Sequence, residues 1–312
     1  MLTAIFATRS RTATAALPSG QPDIDAKITT LIRRRDFQRA YTVCQSAIGS
    51  DTPPSSQAIE TTICCFQNGS YEGYDLCRLA IENNYHLNPE TVETTICELE
   101  KGSHEAYDLC KLVLKNNYPL NPATVETAIC NLPKGSHEAY DLCKLALEKN
   151  IALNPPTVET TICNLPFGSH EQYDLCKLAL EKKVALTSRS VETTICRFPD
   201  RSHEQYDLFK LALENNHKLN SRTVETTLSG FPAGSREKYE LCRLVLEKDI
   251  TLNPRIVETA ICSFRTVGFE RSHLTLLALQ KGYRLNRGTI TKTLKGLDRR
   301  NPMKEEIEKL AR

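Results

Sequence analysis

The chain has 312 residues, of which 40% are hydrophobic and 25% are charged, and its formal net charge is +2. This composition is ordinary for a folded domain, and no run approaches the roughly 18 apolar residues that a membrane-spanning helix needs, so the sequence predicts no membrane span. The charge is unevenly placed, because residues 1–22 carry +2, residues 284–312 carry +5, and the residues between them sum to −5.

Residues 1–22 contain Arg9 and Arg11 among alanine, serine and threonine, and no acidic residue. This composition is typical of a mitochondrial presequence, and the alternative is a disordered tail without a targeting signal. A secretory signal peptide is not favoured, because no apolar core of about 7–15 residues follows the N-terminus. The many cysteines of the chain predict an intracellular reducing compartment, which is mitochondrial if this segment is a presequence.

Residues 23–56 resemble a diverged copy of the repeat that follows. Ile28, Leu31 and Ile32 supply a helical apolar stripe, and the segment from Asp51 to Ser56 is rich in turn-forming residues. Terminal repeats are expected to be atypical, because one of their faces meets water.

Residues 57–287 contain seven copies of a 33-residue unit without insertions. A glutamate followed by threonine recurs at Glu60, Glu93, Glu126, Glu159, Glu192, Glu225 and Glu258. A fixed period of this length is typical of stacked repeats, each of which touches mainly its neighbours. We therefore expect one repeat array in place of the two globular domains that the length alone suggests.

Each copy reads as two short helices. Asn88-Pro89 offers a cap followed by proline at the first helical position, and Val92 and Ile96 continue an apolar stripe. Ser103 is placed to cap the second helix. No stretch alternates between apolar and polar residues as a β-strand does. The sequence therefore predicts an all-α solenoid of about eight helix-turn-helix repeats.

Residues 288–312 begin like another first helix and then depart through Asp298–Pro302 into a charged helical segment. We interpret them as a C-terminal capping segment.

The thirteen cysteines fall into two repeating series, apart from Cys44 and Cys65. One series is Cys64, Cys97, Cys130, Cys163, Cys196 and Cys262, and the other is Cys77, Cys110, Cys143, Cys176 and Cys242. No Cys-x-x-Cys pair occurs, and Ser229, Phe209 and Thr275 replace cysteine in some copies, so neither a zinc site nor a disulfide framework is predicted. We expect both series to be buried apolar positions in a reducing compartment.

Four Ser-His-Glu triplets contain the residue types of a catalytic triad, beginning at Ser103, Ser136, Ser169 and Ser202. Consecutive residues at a helix start point in different directions, so helix capping is the better interpretation. The sequence predicts no enzyme, no cofactor and no metal site.

The unit resembles the pentatricopeptide repeat from residue 23 to about 295. Thr91–Ile96 is similar to that family's opening Thr-Tyr-Asn-Thr-Leu-Ile, and Ala139–Cys143 is similar to its Ala-Leu-Glu-Leu-Phe. Glu148–Asn154 is similar to its Glu-Lys-Gly-Ile-x-Pro-Asp. The resemblance, within the tetratricopeptide superfamily, implies a right-handed superhelical solenoid and single-stranded RNA binding, with two positions in each repeat reading one base.

Carried onto this chain, those positions are the glutamate series above and the asparagines Asn88, Asn121, Asn154, Asn220 and Asn253. The family usually has Asn, Ser or Thr where every copy here has glutamate, and a row of carboxylates repels phosphate. We therefore expect a protein or peptide ligand held by these residues along the concave first-helix face.

The alternative is single-stranded RNA. Its candidate contact is the basic set Arg284, Arg287, Lys292, Lys295, Arg299 and Arg300.

Overall fold

A computed structural model describes residues 24–66, 69–265 and 268–311, which fall into two compact units. The first unit contains four helices: α1 (Ile24–Arg33), α2 (Phe37–Ala47), α3 (Ser56–Ile63) and α4 (Tyr71–Glu82). The segment 1–22, predicted to be a tail or presequence, lies outside the described residues.

In the first unit, α1 packs against α2 and α3 packs against α4. Ile28, Cys44, Ile59 and Leu76 are completely buried between them. The diverged opening segment thus forms a helix pair of its own, α1 with α2, and supplies a core for the pair that follows.

The second unit contains fourteen helices. They are α5 (Pro89–Glu98), α6 (His104–Lys115), α7 (Pro122–Asn131), α8 (His137–Glu148), α9 (Pro155–Asn164), α10 (His170–Glu181), α11 (Ser188–Ile195), α12 (His203–Glu214), α13 (Ser221–Gly230), α14 (Arg236–Glu247), α15 (Pro254–Cys262), α16 (Phe269–Gln280), α17 (Arg287–Lys295) and α18 (Pro302–Leu310). They pack as successive pairs at the 33-residue period.

Across the described ranges every regular element is an α-helix. The prediction of an all-α helical repeat solenoid with a 33-residue period is therefore confirmed. The described residues form nine pairs, because the predicted capping segment folds as a complete last pair, α17 with α18.

The first helices α5, α7, α9, α13 and α15 begin at the predicted asparagines, whereas α11 begins at Thr187. In α7, the side-chain Oδ1 of Asn121 accepts a hydrogen bond from the backbone N–H of Ala123 at 3.0 Å, and Pro122 occupies the first helical position. Val125 and Ile129 then lie on the buried face one turn apart. The predicted start and stripe of the first helix are confirmed.

The second helices α6, α8, α10, α12 and α14 each begin at a serine and end before a left-handed residue. In α8, Ser136 Oγ accepts a hydrogen bond from the backbone N–H of Ala139 at 3.2 Å. Tyr140, Cys143 and Leu147 follow on the buried face. The helix stops before Asn150, whose φ of 58° terminates the helical hydrogen-bond pattern.

A glycine in the turn between the two helices permits a close approach between neighbouring repeats. Gly102 has a φ of 77°, and a Cβ at this residue would lie 2.6 Å from the backbone oxygen of Asn131 in the next first helix. A side chain at this position would therefore clash with backbone as well as adopt a strained conformation.

Candidate functional site

The first helices of the second unit share one solvent-exposed face. In each, the threonine that follows the repeated glutamate is exposed: Thr94, Thr127, Thr160, Thr193, Thr226 and Thr259. We call these six residues the threonine column. Since valine one residue before the glutamate and isoleucine or leucine three residues after it are buried, the helical period places the threonines on the side away from the core.

The glutamate row lies beside this column and joins neighbouring repeats. Glu225 Oε1 accepts a hydrogen bond from the backbone N–H of Asn253 at 2.8 Å, and Glu93 Oε1 accepts one from Asn121 at 2.5 Å. The same contact is made by Glu126 with Asn154, Glu159 with Thr187, Glu192 with Asn220 and Glu258 with Asn286. One oxygen of each carboxylate thus satisfies the capping residue of the next first helix.

Glu60 belongs to the first unit, where its side chain is half-buried. The six predicted ligand-binding glutamates of the second unit thus have a structural contact. Their contact with a ligand stays a prediction.

The predicted asparagines are helix caps. Asn88, Asn121, Asn220 and Asn253 each accept a hydrogen bond from the backbone N–H two residues on. Asn154 makes no such bond. The residue two positions on is Pro156, which has no N–H to donate. The asparagine and glutamate rows therefore meet at the starts of α7, α9, α13 and α15.

A second network joins the second helices of neighbouring repeats. Tyr107 Oη donates to Asp141 Oδ2 at 2.7 Å, and Lys111 Nζ lies 2.6 Å from that hydroxyl and 2.5 Å from that carboxylate. The equivalent sets are Tyr140, Lys144 and Asp174; Tyr173, Lys177 and Asp207; and Tyr206, Lys210 and Glu240.

Sequence reasoning missed this network. The sequence pattern that indicates it is a tyrosine followed directly by aspartate, with a lysine four residues after the tyrosine. This pattern recurs at the 33-residue period.

These contacts shift the pKa values of the groups involved. Burial raises the pKa of the Asp141 carboxyl, but the hydrogen bonds from Lys111 and Tyr107 outweigh burial and hold it below its ordinary value. The pKa of Lys111 is raised by Asp141 and then by Tyr107. Both side chains are therefore charged at neutral pH, and the network acts as a set of ion pairs between repeats.

The two cysteine series differ in exposure, which corrects the expectation that both are buried. Cys77, Cys110, Cys143, Cys176 and Cys242 are buried, whereas Cys64, Cys97, Cys130, Cys196 and Cys262 are exposed and Cys163 is half-buried. The reason is helical geometry: Cys130 lies three residues after exposed Thr127, on the same side of α7. No disulfide joins cysteines in the part of the chain that the structure describes.

The Ser-His-Glu triplets are used for capping and surface pairing. Ser103 Oγ accepts the backbone N–H of Ala106 at 3.2 Å, and His104 Nε2 lies 3.2 Å from Asp108 Oδ2 one turn on. The histidine thus pairs with an aspartate of its own helix. Among the residues with described positions, no group of three or more His, Cys, Asp or Glu side chains is arranged to hold a metal ion.

The six basic residues of the RNA alternative are all exposed. Arg287, Lys292 and Lys295 lie on α17, while Arg299 and Arg300 lie in the turn before α18. The structure thus collects most of them on one helix and its following turn.

Other arginines were missed by sequence reasoning. Arg189, Arg222 and Arg255 are exposed at equivalent positions in the first turns of α11, α13 and α15. The signal for them was a basic residue three positions before the repeated glutamate in three consecutive copies.

No protein-family model matches the chain, and no curated protein matches its sequence. No helix within residues 24–66, 69–265 and 268–311 combines the length and the apolar character that a membrane crossing needs. What the structure adds to the sequence is therefore a helical repeat architecture with periodic ion pairs between its repeats.

Proposed function

We propose that the chain is a non-catalytic helical repeat scaffold that binds a protein or peptide partner along the solvent face of its first helices. The observation that carries this proposal is the threonine column, which repeats once in each copy of the second unit on the exposed side of the helix. Repeat arrays of this kind commonly present one extended face to a ligand.

The other repeated polar residues have roles inside the scaffold. The glutamates and asparagines meet at the starts of the first helices, and the tyrosines, lysines and aspartates join the second helices. These contacts support a rigid scaffold, which loses less conformational entropy on binding than a flexible one does. The glutamates border the column, and we propose that a basic or amide group of the partner contacts their second carboxylate oxygen, except at Glu258, where Asn286 Nδ2 already donates to it at 3.0 Å.

The pentatricopeptide-like pattern of the repeat supports the same face as the ligand site. It also supports a second candidate, a single-stranded RNA-binding protein. The observation that favours this candidate is the exposed basic set on α17 and the turn after it. The free thiols of the exposed cysteine series favour a reducing compartment as the place of action.

The protein candidate is tested by selecting a random peptide library against the full chain. The threonine-column variant carries Thr193→Tyr and Thr226→Tyr, which add bulk on the first-helix face. The control variant carries His137→Tyr and His170→Tyr, which are exposed at the starts of second helices. We expect selected peptides to bind the control variant as they bind the original chain, and to lose at least tenfold in affinity for the threonine-column variant.

Failure of any peptide to enrich, or equal binding to both variants, would contradict the proposal. The RNA candidate is tested separately with a labelled single-stranded RNA at low and moderate salt. Binding that weakens steeply with salt and is lost in Lys292→Glu with Lys295→Glu would establish it in place of the protein candidate.

A further inference from the structure

The charge of the first-helix face changes along the second unit. The exposed position three residues before each glutamate is occupied in chain order by Glu90, Ala123, Pro156, Arg189, Arg222 and Arg255. The face is thus acidic or neutral in its first three copies and basic in the next three. We call Arg189, Arg222 and Arg255 the arginine column.

The arginine column lies beside the threonine column, about one helical turn nearer the start of each helix. Arg189 and Thr193 are four residues apart on α11, so they lie one above the other on the same side of the helix. In the part of the chain that the structure describes, none of the three guanidinium groups has an ion-pair partner. Since α13 packs against α15 and packed helices lie about 8–10 Å apart, Arg222 and Arg255 are expected to be spaced at about that interval.

This spacing suits an extended peptide. An extended chain advances about 3.3–3.6 Å per residue, so acidic residues at about every third position would meet successive arginines. The guanidinium group binds carboxylate through two parallel hydrogen bonds, which gives such a contact geometric specificity.

The glutamate row limits what kind of anion fits. Glu192, Glu225 and Glu258 each follow an arginine of the column by three residues, so positive and negative charges alternate over the face. A nucleic-acid strand carries a charge at every nucleotide and would meet the carboxylates as well as the arginines. A peptide can place neutral residues opposite the glutamates.

The exposed side chains of α11, α13 and α15 also disfavour base stacking. They are arginine, threonine, serine, cysteine and proline, with no aromatic ring among the exposed residues of these three helices. Recognition of single-stranded RNA typically relies on aromatic side chains on which bases stack.

We propose that the arginine column binds an extended acidic peptide segment whose acidic residues recur at about every third position. The proposal rests on the proposed function and names the chemistry of the partner. It places the acidic part of the ligand on the copies from α11 to α16.

The experiment measures fluorescence anisotropy of labelled probes with the full chain at low ionic strength, where exposed charges attract most strongly. The first probe is a twelve-residue peptide that repeats Glu-Gly-Ser four times. The second has the same composition with its four glutamates contiguous, and the third is a single-stranded oligouridylate. The arginine-column variant carries Arg189→Glu, Arg222→Glu and Arg255→Glu.

The control variant carries Lys101→Glu, Lys134→Glu and Lys218→Glu, which change the net charge equally at other exposed positions. We expect the spaced peptide to bind more tightly than the contiguous peptide, to lose at least tenfold in affinity for the arginine-column variant, and to lose less than threefold for the control. Circular dichroism of both variants checks that helicity is unchanged.

Three results would overturn the inference: no binding of the spaced peptide, an equal loss in both variants, or tighter binding of the oligouridylate. Because the library selection is independent of charge, its outcome separates the two proposals. Selected peptides that bind the threonine column but contain no acidic residues would refute this inference and leave the proposed function standing.

Discussion

Glu225 and Asn253, 28 residues apart, are joined by a hydrogen bond from the asparagine backbone N–H to Oε1 of the glutamate at 2.8 Å. The side chain of Asn253 in turn accepts the backbone N–H of Arg255 at 3.0 Å. Asn253 is therefore hydrogen-bonded both to the preceding first helix and to the first turn of the helix that it caps. Because five other glutamates of the second unit make the same backbone contact, the contact is a regular feature of the repeat.

Replacing Glu225 with alanine removes the acceptor of the Asn253 N–H. We expect this amide to exchange with deuterium at least tenfold faster, since a hydrogen bond to a charged group contributes about 1.5–3 kcal/mol and part of the face is exposed to water. Hydrogen exchange measured by NMR checks the local effect. Thr226→Ala, one residue along on the exposed side, serves as the control, and equal exchange in both variants would refute the role of the carboxylate.

The asparagine caps allow a matched comparison. Asn253→Ala removes a side-chain acceptor from the start of α15, and we expect it to destabilise the chain by about 1 kcal/mol. Asn154→Ala should cost clearly less, because Asn154 makes no capping hydrogen bond before Pro156. Urea unfolding followed by circular dichroism measures both. A larger loss for Asn154→Ala would mean that these side chains act through another contact.

Two turn glycines allow the cost of backbone strain to be measured apart from the cost of a steric clash. Gly102 and Gly282 both have positive φ, at 77° and 81°, but a Cβ on Gly102 would meet a backbone oxygen at 2.6 Å, whereas a Cβ on Gly282 would have nothing within 4 Å. We expect Gly282→Ala to cost about 1–2 kcal/mol through strain alone. Gly102→Ala should cost about 1–3 kcal/mol more, since neighbouring repeats must move apart. Thermal unfolding of the two variants tests the difference.

Local features of the fold could be predicted from the sequence because they depend on adjacent residues. The caps Asn121 and Ser136 stand next to the helices that they begin, and proline at residue 122 marks the same boundary. Their chemistry acts within one turn, so a single copy of the repeat was sufficient to predict them.

The contacts between copies could not be predicted in the same way. The partner of Glu126 lies 28 residues on and the partner of Tyr107 lies 34 residues on, and both depend on how one helix pair is placed against the next. A repeat period states that copies are equivalent without stating which faces meet. The wrong burial of Cys130 has a different cause, because the helical period within α7 places it on the same exposed side as Thr127.

The Glu240 carboxylate should make stability depend on pH. The hydrogen bond from Tyr206, 2.5 Å long, lowers the pKa of Glu240 most, burial opposes it and Arg236 adds to it, which brings the pKa from 4.5 to about 2. A pKa that is lower in the folded chain stabilises it above the unfolded value and loses that effect as pH falls from roughly 5 towards 2.

We therefore expect Glu240→Gln to lower the thermal unfolding midpoint at pH 7 and to lie progressively closer to the original chain below pH 4. Differential scanning fluorimetry across this pH range measures the difference. Glu237→Gln, exposed on the first turn of the same helix, controls for the loss of one charge. A constant difference at every pH would contradict the ion-pair explanation.

The two cysteine series should differ in reactivity because alkylation needs an accessible thiolate. Cys130 is exposed, whereas Cys143 is buried and burial raises the pKa of its thiol to about 12. We expect iodoacetamide to modify Cys130 in the folded chain at neutral pH within minutes and to leave Cys143 unmodified until urea unfolds the repeats, as peptide mass spectrometry would measure. Cys97 and Cys110 provide an independent pair of the same kind. Equal labelling rates within each pair would mean that rapid local opening of the second helices makes the buried thiols accessible. The buried contacts between the repeats oppose such opening.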